Sequence, residues 1–337
     1  MKPSFSSSYT LLVPPDYYNF DGRKNKNNQE LKFVRDSWTA SRRSGNHPDQ
    51  RGRLTVIRNA FTFTQMDILA GTLLALALTI QPAAVSAAGK TYIFSAPPRG
   101  TEAKEREVYD PIARYLTQST GEHIVYKHPD NWLNYQNQMQ LGKYDLVFDG
   151  PHFIGWRIDK VGHQPLAKLP GDLAFVVIAK KDDKKLDGLA GRRVCGLAPP
   201  NLATLTMYKQ FPNPMRQPQV KEVKSFAMAF RDVMDEKCDA AVMRDKMYFK
   251  LTAKANAKGK VIWSSEGISN QGFSAGPRLN TETKQKITSA LLSPDAQEPL
   301  GKFFDRFSKN NRKLIKATAA EYAGLGGLLK DVWGFRQ

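Results

Sequence analysis

The residues able to do chemistry in this sequence stand singly, and most of them follow a short hydrophobic run. Arg99 comes just after the apolar stretch 91–96 and a Pro-Pro pair. A guanidinium in that place can grip a carboxylate or phosphoryl group with two parallel hydrogen bonds, or it can be a solvated loop arginine. Trp132 and Tyr135 open a helical stretch and are both ligand candidates; the Trp132 ring forms either a wall for the ligand or ordinary helix packing. His152 follows the run 144–148 and the turn formers Asp149, Gly150 and Pro151; its imidazole either bonds an anionic ligand or is a structural histidine. Asn201 and Thr204 lie at a helix start, where free amides and the helix dipole favour anions, although Asn201 can equally be a simple cap. Arg244 and Asp245 close another apolar run. Asp245 binds a ligand amine or pairs with Arg244 or Lys246.

These residue types suit holding a small charged solute rather than transforming it. The sequence has no nucleophile elbow, no Walker-type phosphate loop and no dinucleotide fingerprint. Its 5 histidines are scattered, and its 2 cysteines are not spaced for a metal. No catalytic step, no metal and no cofactor is expected. Cys195 and Cys238 form a disulfide if the compartment is oxidising and their strands are neighbours; otherwise they are two buried thiols.

The elements that must position these residues follow an alternating pattern. Residues 91–96 read as a strand, and a helix starts near Thr101 with Tyr109, Ile112, Ala113 and Leu116 on one face and Gly121 as its stop. A second strand at 124–127 precedes a helix at 131–141, with Leu133 and Met139 as core residues. Residues 144–148 make a third strand, which ends in a tight loop presenting His152 and Phe153. That is a βαβαβ unit, hence a parallel sheet with right-handed crossovers. The grammar restarts in strands 193–197, 220–223 and 239–243, separated by helices at 202–211 and 226–236. Between the two units lie a strand at 173–179 with no helix before it and the charged segment 180–185, read as a crossing between lobes. Residues 273–276 read as the return crossing, and helical segments at 283–292, 299–307 and 321–333 finish the chain. In open α/β sheets ligands bind outside the carboxyl ends of the strands, which is where the candidates fall.

At 337 residues and 41% hydrophobic, the chain is long enough for two domains with cores. The formal net charge is +18; residues 1–88 hold 11 Lys/Arg and 6 Asp/Glu, so the remainder carries +13 in its own right. Such a balance favours anionic partners. Nucleic acid is not expected among them, because the Lys/Arg residues form no stripe interleaved with aromatics and no known module.

Residues 68–80, ILAGTLLALALTI, are 13 uncharged residues, short for a membrane span and right for the core of a secretory signal. Arg51, Arg53 and Arg58 precede them, and Val85-Ser86-Ala87 supplies small residues for cleavage. The division is then 1–65 as a disordered leader or a start assigned too far upstream, 66–88 as signal peptide, 89–180 with 268–337 as a discontinuous first lobe, and 181–267 as the second. Export to the periplasm or another extracytoplasmic space is expected, with membrane anchoring through 68–80 as the alternative.

Several motifs carry a resemblance to a known family: YDPIARYL with Gly121, GKYDLVFDGPHF, LDGLAGRRVCGL and KCDAAVM. With the secretory signal, residues 93–329 resemble the phosphate/phosphite/phosphonate-type substrate-binding proteins of ABC transporters, of the type 2 periplasmic binding protein fold. The resemblance implies an α/β fold of two lobes, each a mostly parallel sheet flanked by helices, joined by two crossing segments and closing on a solute. It also implies a small anionic or zwitterionic ligand, with a phosphonate- or phosphate-like oxyanion as the first expectation, a membrane permease as partner, and a monomer. A periplasmic adaptor that hands a ligand signal to a membrane kinase is the alternative. In such proteins a Ser/Thr- and Gly-rich turn cradles the anion where this chain reads Leu197-Ala198-Pro199-Pro200-Asn201-Leu202-Ala203-Thr204. Two prolines there remove two amide donors.

Overall fold

A computed structural model of the chain describes residues 90–180, 185–254, 259–308 and 310–335. The expected leader and signal peptide, residues 1–88, lie outside the described residues.

The first sheet starts from β1 (Thr91–Ser95), an aromatic and β-branched run. Next comes α1 (Glu102–Thr120), which begins at Thr101 with two acids in its first turn, Glu102 and Glu105. Gly121 ends it in the left-handed conformation, φ 79°, with its amide on the Thr117 carbonyl, a geometry that glycine adopts without steric cost. Then follow β2 (His123–Tyr126), α2 (Trp132–Gln140), β3 (Leu146–Asp149), α3 (Pro151–Val161) and β4 (Gln164–Lys168). Asn131 caps α2 by accepting from the Asn134 amide at 2.8 Å. Met139 is fully buried as expected, but Leu133 is 46% exposed, because it lies on the solvent side of α2. The segment before residue 173 is not free of helix: both α3 and β4 occupy it.

β5 (Asp172–Leu173) pairs with nothing in that sheet, whereas β6 (Phe175–Ala179), α4 (Leu202–Tyr208), α5 (Phe226–Met234), α6 (Asp245–Thr252) and the strands β7 (Arg193–Gly196), β8 (Gln219–Glu222), β9 (Ala240–Arg244) and β10 (Lys260–Ser264) build a second sheet and its cover. The chain returns through β11 (Ile268–Ser269) and β12 (Gly272–Ala275), then α7 (Thr281–Leu292), α8 (Gly301–Phe307) and β13 (Ile315–Lys316). Its last described residues form short 3-10 turns at Ala319–Tyr322 and Leu325–Leu329 rather than the single helix expected over 321–333. Gly324, Gly326 and Gly327 break the periodic run there.

The two sheets are ordered β13-β4-β12-β3-β1-β2 and β10-β6-β9-β7-β8. In each, one trio is parallel, β2-β1-β3 and β8-β7-β9, as the βαβαβ reading requires. The remaining pairings are antiparallel, so the sheets are mixed rather than mostly parallel.

The crossings differ from expectation in one informative way. Phe175–Ala179, read from the sequence as part of the first lobe, pairs with β9 and β10 in the second sheet. The first crossing is therefore at Asp172–Leu173 and not in the charged segment 180–185. Its partner is β11, and the two form an antiparallel ribbon in which Leu173 faces Ile268 and Asp172 faces Ser269. Residues 272–275 are not a crossing either: β12 is an inner strand of the first sheet, between β3 and β4.

Each sheet is buried on both faces. Phe94, Tyr109, Ile112, Leu116, Phe148, Phe273 and Phe303 form one side of the first core, and Tyr135, Met139, Val147, Phe153 and Trp156 the other. Leu205, from α4 of the second lobe, belongs to that latter cluster and brings the two lobes into apolar contact. Cys195 and Cys238 are joined by a disulfide with a Cα–Cα distance of 5.8 Å. Among the described residues no helix is long and apolar enough to cross a membrane.

Candidate functional site

The turn after β3 positions the site. Asp149 completes the strand, Gly150 is the extended residue before the helix, and Pro151 sits at the first helical position, where its missing N–H costs nothing and its fixed φ suits a helix. Gly162, at φ 68°, ends α3. The expected loop is thus a helix N-terminus, and His152 lies in its first turn.

His152 is 4% exposed and spans the two lobes. Its Nε2 lies 3.0 Å from the Pro200 carbonyl, which belongs to the loop between β7 and α4. Burial brings the imidazole pKa down to about 3; the Pro200 hydrogen bond opposes that shift and the Arg99 charge adds to it. Nδ1 is buried and has no hydrogen-bond partner among the described residues.

Beneath this turn is a buried polar network. Arg157 Nε donates to Asp149 Oδ2 at 2.8 Å, Arg157 Nη2 donates to the Tyr135 hydroxyl at 3.0 Å, and that hydroxyl donates to Asp149 Oδ1 at 2.6 Å. Arg157 and Asp149 side chains are 0% exposed, and the guanidinium sits 5.6 Å and 5.7 Å from the ring centres of Tyr135 and Tyr144. Burial, reinforced by the Asp149 charge, drives the Tyr135 pKa well up. Tyr135, expected among the ligand contacts, instead faces the core and ties Asp149 at the end of β3 to Arg157 in α3. Trp132 stays half-buried, 6.2 Å from the rings of Tyr135 and Phe153.

Arg99 also sits at a carboxyl strand end, that of β1. Its Nη2 donates to Gln271 Oε1 at 3.0 Å, and its guanidinium lies 5.8 Å and 5.6 Å from the Phe148 and Phe307 ring centres. It is near enough to Tyr109 to draw that phenol's pKa down against the burial that pushes it up to about 12, yet no hydrogen bond of normal geometry joins the two. Glu105, a fully buried carboxylate near Tyr109, forms an ion pair with Arg306 at 2.9 Å, although neither of its oxygens has a hydrogen-bond partner among the described residues. Arg99 Nη1 remains buried without a partner.

In the second lobe the four expected residues separate into two kinds. Asn201 accepts from the Ala203 amide at 3.1 Å and is the cap of α4. Thr204 is fully buried and donates to the Leu197 carbonyl at 2.6 Å, so its hydroxyl fastens the β7–α4 loop and does not face a ligand. The Pro199–Pro200 peptide in that loop is cis. Arg244 and Asp245 are half-buried at the junction of β9 and α6. Asp245 Oδ1 accepts from the Lys246 amide at 2.6 Å, while Arg244 Nε is buried without a partner and burial lowers the guanidinium pKa against the pull of Asp245.

The ribbon of β5 and β11 relates the two arginines. Arg99 bonds Gln271, just beyond β11 on the first-lobe side. Arg244 stands opposite Phe175, just beyond β5 on the second-lobe side. Gln271, Pro200 and the Asp149–Arg157 pair were not evident as functional positions in the sequence. Only the Pro151 and Gly162 punctuation around 151–161 could have revealed the helix that carries Arg157. Among the described residues no group of three His, Cys, Asp or Glu side chains is arranged to hold a metal ion.

Chemically, the arrangement offers N–H groups of permanently charged guanidiniums at strand ends of both lobes. An unmet buried donor of this kind costs about 1–3 kcal/mol, and an anionic oxygen is its natural complement.

Comparison with known proteins gives a consistent result. A family described as ABC transporter, phosphonate, periplasmic substrate-binding protein matches residues 94–322. A Xanthomonas citri protein solved bound to ATP is similar in fold, with a TM-score of 0.56 at 11% identity over 72% of this chain and 99% of that one. PhnD1 of Prochlorococcus marinus, solved in complex with methylphosphonate, has a TM-score of 0.51 at 15% identity over 72% of this chain and 97% of that one. At such identities the likeness is one of fold. No curated protein matches the sequence.

Proposed function

The chain belongs to the periplasmic substrate-binding proteins of phosphonate ABC transporters, and from that membership we propose that it captures a small oxyanion between its lobes and delivers it to a membrane permease. The observation that carries the ligand class is two of the three buried, unpartnered guanidinium nitrogens, Arg99 Nη1 in the first lobe and Arg244 Nε in the second; the third, Arg157 Nη1, belongs to a guanidinium already paired with Asp149. Arginine cannot shed its charge, so the pair calls for a negative group shared between the lobes. The methylphosphonate bound by the Prochlorococcus relative is of this class. The mature protein acts as an exported monomer, led out by residues 66–88, with 1–65 before the signal, its first lobe made from residues up to the ribbon and after it and its second from the residues between. His152 then serves as the contact that the first lobe makes to the second on closure.

Members of the family are substrate-binding components of transporters, and the residues at this site fit holding rather than turnover. Thermal melting against phosphate, phosphite, alkylphosphonates, sulfonates, carboxylates and amino acids tests the ligand class. An oxyanion at one hundred times its dissociation constant should stabilise the protein by about 2.7 kcal/mol. Silence across every oxyanion, or a response confined to neutral or cationic solutes, overturns the reading.

A further inference from the structure

His152 has a tautomer fixed by its surroundings. The Pro200 carbonyl can only accept, so the nitrogen 3.0 Å from it, Nε2, must carry the hydrogen. Buried as it is, the ring is neutral. A neutral imidazole with hydrogen on Nε2 has only a lone pair on Nδ1, and this Nδ1 is buried with no partner among the described residues. A side chain that is 4% exposed therefore presents a bare acceptor.

That acceptor lies beside Gly150, the residue that precedes an 11-residue helix. A Cβ on Gly150 would lie 3.2 Å from Nδ1 and 2.9 Å from Cε1, so the absence of a side chain at Gly150 is what keeps the ring edge approachable. The amides of Phe153 and Ile154 both reach the Gly150 carbonyl, at 3.0 Å and 3.1 Å. His152 itself contributes a first-turn amide that has no intrahelical carbonyl to bond. Helix dipole and amide favour an anion here, while the Nδ1 lone pair repels an oxygen that carries no hydrogen. One kind of group satisfies both: an anion that retains an O–H.

We propose that the N-terminus of α3 receives one oxygen of the ligand in its protonated form, the P–O–H hydrogen being donated to His152 Nδ1, so that His152 selects oxyanions that keep a hydroxyl and rejects those that cannot. The proposal rests on the oxyanion reading given above. It makes His152 a specificity-determining residue whose two nitrogens contact, respectively, the ligand and the opposite lobe.

Titration calorimetry of the full chain with methylphosphonate and methanesulfonate tests it, because the two are near-isosteric and only the phosphonate monoanion carries an O–H. Methylphosphonate should bind at least about 100-fold more tightly, since a buried polar group left unpaired by an analogue discriminates strongly. In His152→Phe that ratio should collapse to within about threefold. Loss of the Pro200 contact alone would weaken both ligands together and leave the ratio intact. If His152→Phe does not fold, Gly150→Ala places a methyl against the ring edge and should collapse the ratio in the same way. Equal affinities in the wild-type protein, or a ratio that survives both substitutions, overturns the proposal while leaving the oxyanion reading standing. Binding of neither probe overturns the proposal, and the oxyanion reading falls with it only if phosphate, phosphite and carboxylates are silent as well.

Discussion

Arg157 and Asp149 form an ion pair without solvent access, and the Tyr135 hydroxyl bonds both partners. Removing one member of such a pair leaves the other charge buried, at about 3–5 kcal/mol. Urea denaturation of Arg157→Ala should show a loss of that size; a loss under about 1 kcal/mol would mean that Asp149 finds water instead. His152 gives a pH signature. Its pKa lies near 3 in the folded protein and close to 6.5 in the unfolded chain, so between those values the unfolded state binds more protons. The stabilisation is complete above about pH 6.5 and is lost as pH falls toward the folded value, by up to about 1.4 kcal/mol per unit. His163, buried and likewise depressed, acts in the same sense. The stability curve of His152→Phe should be flatter than that of the wild type between about pH 6 and pH 4, and parallel curves would contradict the buried neutral ring. At this scale the positions of Arg99, His152 and Arg244 were legible because each follows a strand run and so falls at a carboxyl sheet edge. Tyr135 and Thr204 were misread because adjacency to such an edge does not tell which way a side chain turns.

Among the elements, α3 decides the site and was the one hidden by its own punctuation. Asp149-Gly150-Pro151 reads as a turn, but Gly before Pro is also how a helix begins, and the apolar residues Phe153, Ile154 and Trp156 behind it are all buried rather than forming one amphipathic face. The 3-10 segment Leu325–Leu329 packs on this helix backbone to backbone. A Cβ on Gly155 would come within 2.7 Å of both the Gly326 nitrogen and the Tyr322 carbonyl oxygen, atoms that cannot step aside as a side chain would. Gly155→Ala should therefore lower stability by about 1–3 kcal/mol and loosen the C-terminal segment, as read by hydrogen exchange at 319–329. An unchanged melting curve with unchanged protection would show that the contact is not tight. The parallel trios of both sheets were legible from alternating runs and helix stops. The antiparallel strands β6 and β12 were not, since a continuous apolar run fits either sheet and only pairing assigns it.

Across the whole molecule, the charge of +18 and the two sheets of the fold are in keeping with the proposed anionic ligand class. The ribbon of β5 and β11 joins the lobes through few residues, the kind of connection that lets rigid bodies rotate about a hinge. His152 on Pro200 and Leu205 among Tyr135 and Phe153 are contacts between the lobes that a rotation about the ribbon would break. The measurement that reaches the central claim most directly is the methylphosphonate dissociation constant of Arg99→Ala, Arg244→Ala and the double variant. If one oxyanion is held from both lobes, each single change should weaken binding at least about tenfold, and the double change should cost less than the sum of the two. Binding that is indifferent to Arg244→Ala would place the ligand in one lobe alone and contradict the account.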